Sequence, residues 1–150
     1  MRTVLLLVIV LIVGAQFVPV TRDNPPVAAD FDGDAAVKAV LKESCYNCHS
    51  NETTWPWYSR IAPVSWLVAS DVSEAREKLN FSDWGLMAVE NQAHASREMW
   101  KEVEKGEMPL TVYLLMHSEA ELSEADKAVI RDWAGGTAGQ TTEPMEEAGE

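Results

Sequence analysis

The pentapeptide Cys45-Tyr46-Asn47-Cys48-His49 constrains this chain more than any other stretch. C-x-x-C-H is the attachment sequence for c-type haem, and the reason is geometric. Two cysteines three residues apart lie on neighbouring positions of one helical turn, so their sulfurs reach the two vinyl groups on one edge of a porphyrin. The histidine that follows lies beneath the ring, where its imidazole can bind iron. Cys45 and Cys48 are the only cysteines in 150 residues, beside three histidines. The expectation is one covalent haem c, bound through Cys45 and Cys48 with His49 on the iron.

Other chemistries use the same residues. A thioredoxin-like pair needs a βαβ setting and a helix N-terminus to lower the thiol pKa, and the chain has no convincing strand pattern. Structural zinc needs four nitrogen or sulfur ligands at ordered spacing, and beyond the pentapeptide only His94 and His117 are available. A plain disulfide is the third rival.

The N-terminus narrows the setting. From Thr3 to Thr21 there is no charge; about 19 residues of helix span roughly 28 Å, just enough for a hydrocarbon core. Residues 1–21 are therefore expected as an export signal, retained as a single-pass inner-membrane anchor with the haem domain on the periplasmic side. The alternative is a soluble periplasmic protein cut near Val13-Gly14-Ala15. With 24 acidic against 12 basic residues the net charge is −12, which excludes nucleic acid and an anionic lipid surface as natural partners.

Asp23-Asn24-Pro25-Pro26 reads as a stiff extended linker within residues 22–33, and residues 34–135 as the globular domain. Asp34 is placed to cap a helix over Ala35 to Lys42, with Val37, Val40 and Leu41 on one face. Pro63 opens a helix running to about Leu79 with an inner stripe of Trp66, Ala69, Val72, Arg76 and Leu79. A further helix runs from about Leu86 to Lys105, stopped by Gly106, with Val89, Ala93, Ser96, Trp100 and Val103 inward. Ser123 and Asp126 form a capping box for a closing helix carrying Val129, Ile130 and Trp133, which Gly135-Gly136 should end. Residues 136–150 read as a disordered acidic tail. The fold class is all-α.

Two loops complete the candidate site. In Trp55-Pro56-Trp57-Tyr58-Ser59-Arg60, Trp55 and Tyr58 can pack on a porphyrin or donate to its propionates, and Arg60 can pair with a propionate. In Gly106-Glu107-Met108-Pro109-Leu110, Pro109 holds the backbone of Met108 extended, so its thioether is presented from a loop. Opposite a histidine, a methionine makes a low-spin, high-potential iron site. His94 is the rival sixth ligand.

These residues resemble the small bacterial haem-binding domain family related to class I cytochromes c. The resemblance runs from Gln16-Phe17-Val18-Pro19-Val20 and Asn24-Pro25-Pro26-Val27 through Cys45 to Thr53, Trp55-Pro56-Trp57-Tyr58 and Ile61-Ala62-Pro63-Val64-Ser65-Trp66. It continues in Leu79-Asn80-Phe81-Ser82, Gly106-Glu107-Met108-Pro109-Leu110 and Leu122-Ser123 to Trp133. It implies a class I cytochrome c-like helical domain, an N-terminal membrane segment, one covalent haem, His49 as proximal ligand and a Met-Pro loop carrying the distal one. Two extra helices between the attachment site and Met108 depart from the simple pattern.

The expected function is electron transfer in the cell envelope, not enzymatic catalysis, with redox proteins as partners. The alternative is a haem-based sensor or gas-binding module with an open sixth site. A small peroxidase is a weaker reading, because no distal His and Arg arrangement is evident.

Overall fold

The computed structural model describes residues 1–139, and every regular element among them is helical. The order is α1 (Arg2–Ala15), α2 (Ala35–Ser44), α3 (Tyr46–His49), α4 (Val64–Lys78), α5 (Val89–Glu104), α6 (Thr111–Leu114) and α7 (Glu124–Gly139). Short 3-10 turns cover Trp57–Arg60, Phe81–Leu86 and Ser118–Ala120. Of the expected disordered tail, residues 140–150 lie outside the described residues, whereas 136–139 belong to α7. Gly135-Gly136 does not end that helix. Glycine weakens a helix by about 1 kcal/mol relative to alanine, but it keeps its N–H and does not forbid the conformation.

Local chemistry sets the helix ends. Asp34 Oδ1 accepts from the N–H groups of Ala36 (2.8 Å) and Val37 (3.2 Å) and so caps α2. At α7 the Ser123 N–H donates to Asp126 Oδ2 (3.0 Å) and the Asp126 N–H to Ser123 Oγ (3.2 Å), a reciprocal capping box. Gly106, at φ 74°, ends α5 with its N–H on Val103 O while the Glu107 N–H returns to Glu102 O. That paired closure reverses the chain just before Met108.

The core lies where α7 packs on α5 and α2. Val37, Val40 and Leu41 of α2, Val103 of α5 and Ile130 of α7 meet a cluster of aromatic rings. Phe31 presents edges to Phe81, Trp84 and Trp133 at 5.4 to 6.4 Å, and Tyr46 stacks on Phe81 at 5.2 Å. Phe31 is 2% exposed, and burying one such ring contributes about 1.5–3 kcal/mol. It comes from the stretch expected as a linker. That stretch lies along the domain: Arg22 donates to Ser59 O, Asn24 to Thr53 O and Asn51 to Pro26 O, while the Ala28 and Ala29 N–H groups share Ser82 O.

Two expected inner stripes shift. Ser65, Val72 and Ala75 form the buried side of α4, leaving Trp66 exposed. In α5, Ala93, Ser96 and Val103 are buried but Val89 is exposed.

The expected membrane span is not supported. α1 has 14 residues, about 21 Å against a hydrocarbon core of about 30 Å, and no helix among the described residues is long and apolar enough to cross a membrane. Beyond Ala15 the chain closes in tight turns, Phe17 N–H to Gly14 O and Val18 N–H to Ala15 O. The Gln16 carboxamide meanwhile binds Ala62, and Pro19 has no N–H with which to resume a helix.

Candidate functional site

One turn distributes the five residues of the C-x-x-C-H motif to different tasks. Cys45 closes α2, its N–H on Leu41 O, and its own carbonyl accepts from the N–H groups of Cys48 and His49. Cys45 and His49, four apart on that turn, both line a cavity of about 510 Å³. Tyr46 turns into the aromatic core, its hydroxyl donating to Asp30 (2.8 Å). Asn47 accepts from the Thr54 N–H (3.0 Å) and donates to Tyr113 Oη (2.8 Å), tying the motif to α6.

His49 is oriented by backbone. Its Nδ1 lies 3.1 Å from both Ala75 O and Leu79 O. Carbonyls only accept, so Nδ1 carries the hydrogen and Nε2 keeps its lone pair for a ligand bond. Burial lowers the pKa of the ring, although the two carbonyls work the other way. The imidazole is held neutral in the tautomer a metal needs.

The cavity wall is apolar, with Leu79, Phe81, Met87, Met99, Val103 and Leu122 among its lining, and Met108 and Pro109 enter from the loop after α5. Its volume falls in the range of cofactor sites. His94 also lines it, from α5, but is exposed. Lys78, Asn91, Glu98 and Glu102 supply polar groups. The imidazoles of His49 and His94, the thioethers of Met87, Met99 and Met108 and the Cys45 thiol, set in an apolar wall, suit a flat apolar iron macrocycle. They do not suit a bare ion, since no group of three His, Cys, Asp or Glu among the described residues could hold one.

The thiols do not fit thioredoxin-like redox exchange. Both are free. Burial, with Cys48 nearby, pushes Cys45 up to about 12. Burial and Asp71 push Cys48 up to about 11 against the pull of Arg76. A thioredoxin-like nucleophile needs the opposite shift.

The aromatic loop divides. Tyr58 Oη lies 2.8 Å from His117 Nε2, and His117 stacks on Tyr113 at 4.3 Å with Nδ1 3.0 Å from Glu119. Burial first and the nearby Cys48 second raise the Tyr58 pKa. Tyr58 is thus linked to Asn47 of the motif through His117 and Tyr113, but it does not line the cavity that holds His49. Trp55 instead lines a larger polar hollow of about 680 Å³ between α4 and residues 21–26, where its Nε1 is buried without a protein partner. Arg60 is exposed at the foot of α1, beside Arg22 and Ala62. Neither lines the cavity that holds His49, and of the two cysteines only Cys45 does.

Sequence reasoning missed Arg76, Tyr113 and His117. Arg76 reads as one member of an apolar stripe, yet its guanidinium donates to Ser50 O, Asp23 O, Asn24 Oδ1 and Thr53 Oγ1. The signal available was a charge inside a hydrophobic pattern. Tyr113 and His117, four apart, carried only their helical spacing.

A family model described as a haem-binding domain matches residues 10–135. Among curated proteins and among solved structures nothing matches.

Proposed function

The chain belongs to the haem-binding domain family, and from that premise we propose that it carries single electrons through one haem c. Cys45 and Cys48 would hold the group by thioether bonds, His49 would bind one axial position and Met108 the other. When bound, the haem supplies the Fe(III)/Fe(II) couple.

The observation that carries this reading is the pairing of a backbone-locked imidazole with a loop-borne thioether in one apolar cavity. Nδ1 donating to Ala75 O and Leu79 O keeps Nε2 directed to its ligand in both oxidation states. The paired closure at Gly106 presents Met108 from a chain reversal, where it lies partly buried against the core and lines the cavity with Met87 and Met99. Leu79, Phe81, Val103 and Leu122 would keep water from a bound haem, which would favour its less charged reduced state and raise the potential. The packing of α7 on α2 and α5, with the Met108 loop between α5 and α7 in sequence, supports a class I cytochrome c-like arrangement. We read the protein as a carrier of the cell envelope, its haem domain outside the cytoplasm, attached to a membrane by insertion of α1 and serving other redox proteins. Its net charge of −12 favours basic partners over nucleic acid.

The test is the sixth position. The ferric protein should show the weak sulfur-to-iron charge-transfer band, and Met108→Ala should abolish it, lower the potential and admit CO. An unchanged spectrum in Met108→Ala with loss in His94→Ala would move the ligand to His94. Rapid CO binding by the wild type would favour an open-site sensor.

A further inference from the structure

Three features meet at one end of the molecule. α1 is apolar on every side, with no charge between Arg2 and Arg22 and no buried residue. A partner protein covers one face of a helix; a helix apolar all round requires a surrounding apolar medium. Its foot is also fixed to the domain. The Gln16 carboxamide accepts from the Ala62 N–H (3.0 Å) and donates to Ala62 O (3.2 Å), so one side chain clamps one residue through both of its hydrogen-bonding groups.

Around that clamp the domain exposes apolar side chains of its own. Ile61, just before α4, and Val64 and Leu67, on its first turn away from buried Ser65 and Val72, are exposed, as are Phe17 and Val18 at the foot of α1 and Trp57 on the preceding turn. Arg22 and Arg60 line the same hollow as Gln16 and Ala62. They are two of only 12 cations in an acidic chain.

We propose that this face rests on a zwitterionic lipid bilayer, so that the haem domain is held in one orientation and does not swing on a tether. The inference rests on the reading that α1 enters lipid, and it adds the domain's own contact. α1 is too short to cross, and the Gln16 clamp brings Ile61, Val64 and Leu67 to the interface with it. Tryptophan favours that depth, and the arginines reach headgroup phosphates. The remaining acidic surface is repelled by anionic lipid, which makes a neutral surface the better fit.

The full-length haem protein is mixed with phosphatidylcholine vesicles, and binding is followed by flotation. Hydroxyl-radical footprinting then compares Trp57, Ile61 and Leu67 with Leu86 and Val89, which are exposed elsewhere. The patch should be protected several-fold on vesicles while the controls are unchanged, and polarised absorption on oriented bilayers should show a fixed haem tilt. Ile61→Glu with Leu67→Glu, and separately Gln16→Ala, should still float but lose the protection and the dichroism. Flotation of the wild type without protection of the patch overturns the docked face and leaves insertion of α1 standing. No flotation overturns the insertion itself. Equal protection without vesicles, with dimers present, assigns the face to a second copy and also overturns the proposal.

Discussion

Replacing Arg76 by Met tests whether one guanidinium holds three segments in place. Arg76 Nε donates to Ser50 O (2.8 Å), and its terminal nitrogens donate to Thr53 Oγ1 (2.9 Å), Asp23 O (3.1 Å) and Asn24 Oδ1 (3.1 Å). Methionine keeps much of the aliphatic stem and removes every donor. Asp23 and Asn24 are exposed, so water replaces those bonds at little cost. Ser50 and Thr53 are buried, and hydrogen bonds from a charged donor contribute about 1.5–3 kcal/mol each. Two such bonds, discounted by about half because the guanidinium is partly solvated, predict a loss of about 1.5–3 kcal/mol. For a chain of this size that is a fall in Tm of about 5–10 °C. Urea unfolding should show a lower midpoint with an unchanged slope. Arg76→Lys should recover less than half, because an ammonium has no planar fork to reach acceptors on two separate segments. A methionine variant within about 0.5 kcal/mol of wild type would refute the assignment. Because Ser50 follows His49 directly, the haem spectrum should meanwhile hold, since Ala75 O and Leu79 O still orient the ring.

If Cys45 and Cys48 both form thioethers, haem colour survives acid-acetone extraction and denaturing electrophoresis, and the double alanine variant is colourless; free haem extracted from the wild type would end the covalent reading. Burial raises the Asp30 carboxyl, but hydrogen bonds from Lys38 and Tyr46 more than offset it and leave the pKa below its ordinary value. The stability this contributes is present above the unfolded carboxylate pKa of about 3.9 and is lost as pH falls through the lower folded value. Tyr46→Phe should therefore cost about 1–2 kcal/mol at neutral pH, and its gap from wild type should narrow below about pH 4. A gap that stays constant through acid titration would remove Asp30 as the cause.

Much of the candidate site was legible because the interactions that build it are short in sequence. Cys45 and His49 share a face because they lie four apart on one turn. Asp34, the Ser123 and Asp126 pair, and Gly106 set helix ends through bonds spanning two to five residues. The Met108 loop follows from the last of these, and with the motif on one side and that loop on the other, an all-α domain was readable.

The rest depends on partners that no local pattern names. Phe31 is central because Phe81 and Trp84 arrive from one distant turn and Trp133 from the closing helix. Trp55 and Arg60 share one loop with Tyr58, but only Tyr58 meets His117, 59 residues away, while the turn sends the other two to different surfaces. The apolar run promised a longer helix than α1, which ends where Gln16 finds Ala62, 46 residues on. Sequence alone determined the donor atoms and the turn that carries them, since covalent spacing and backbone dihedrals are local. Tertiary structure decided which imidazole nitrogen is free, which aromatic neighbours the motif and where the domain begins, because each rests on a hydrogen bond or ring contact between residues distant in the chain.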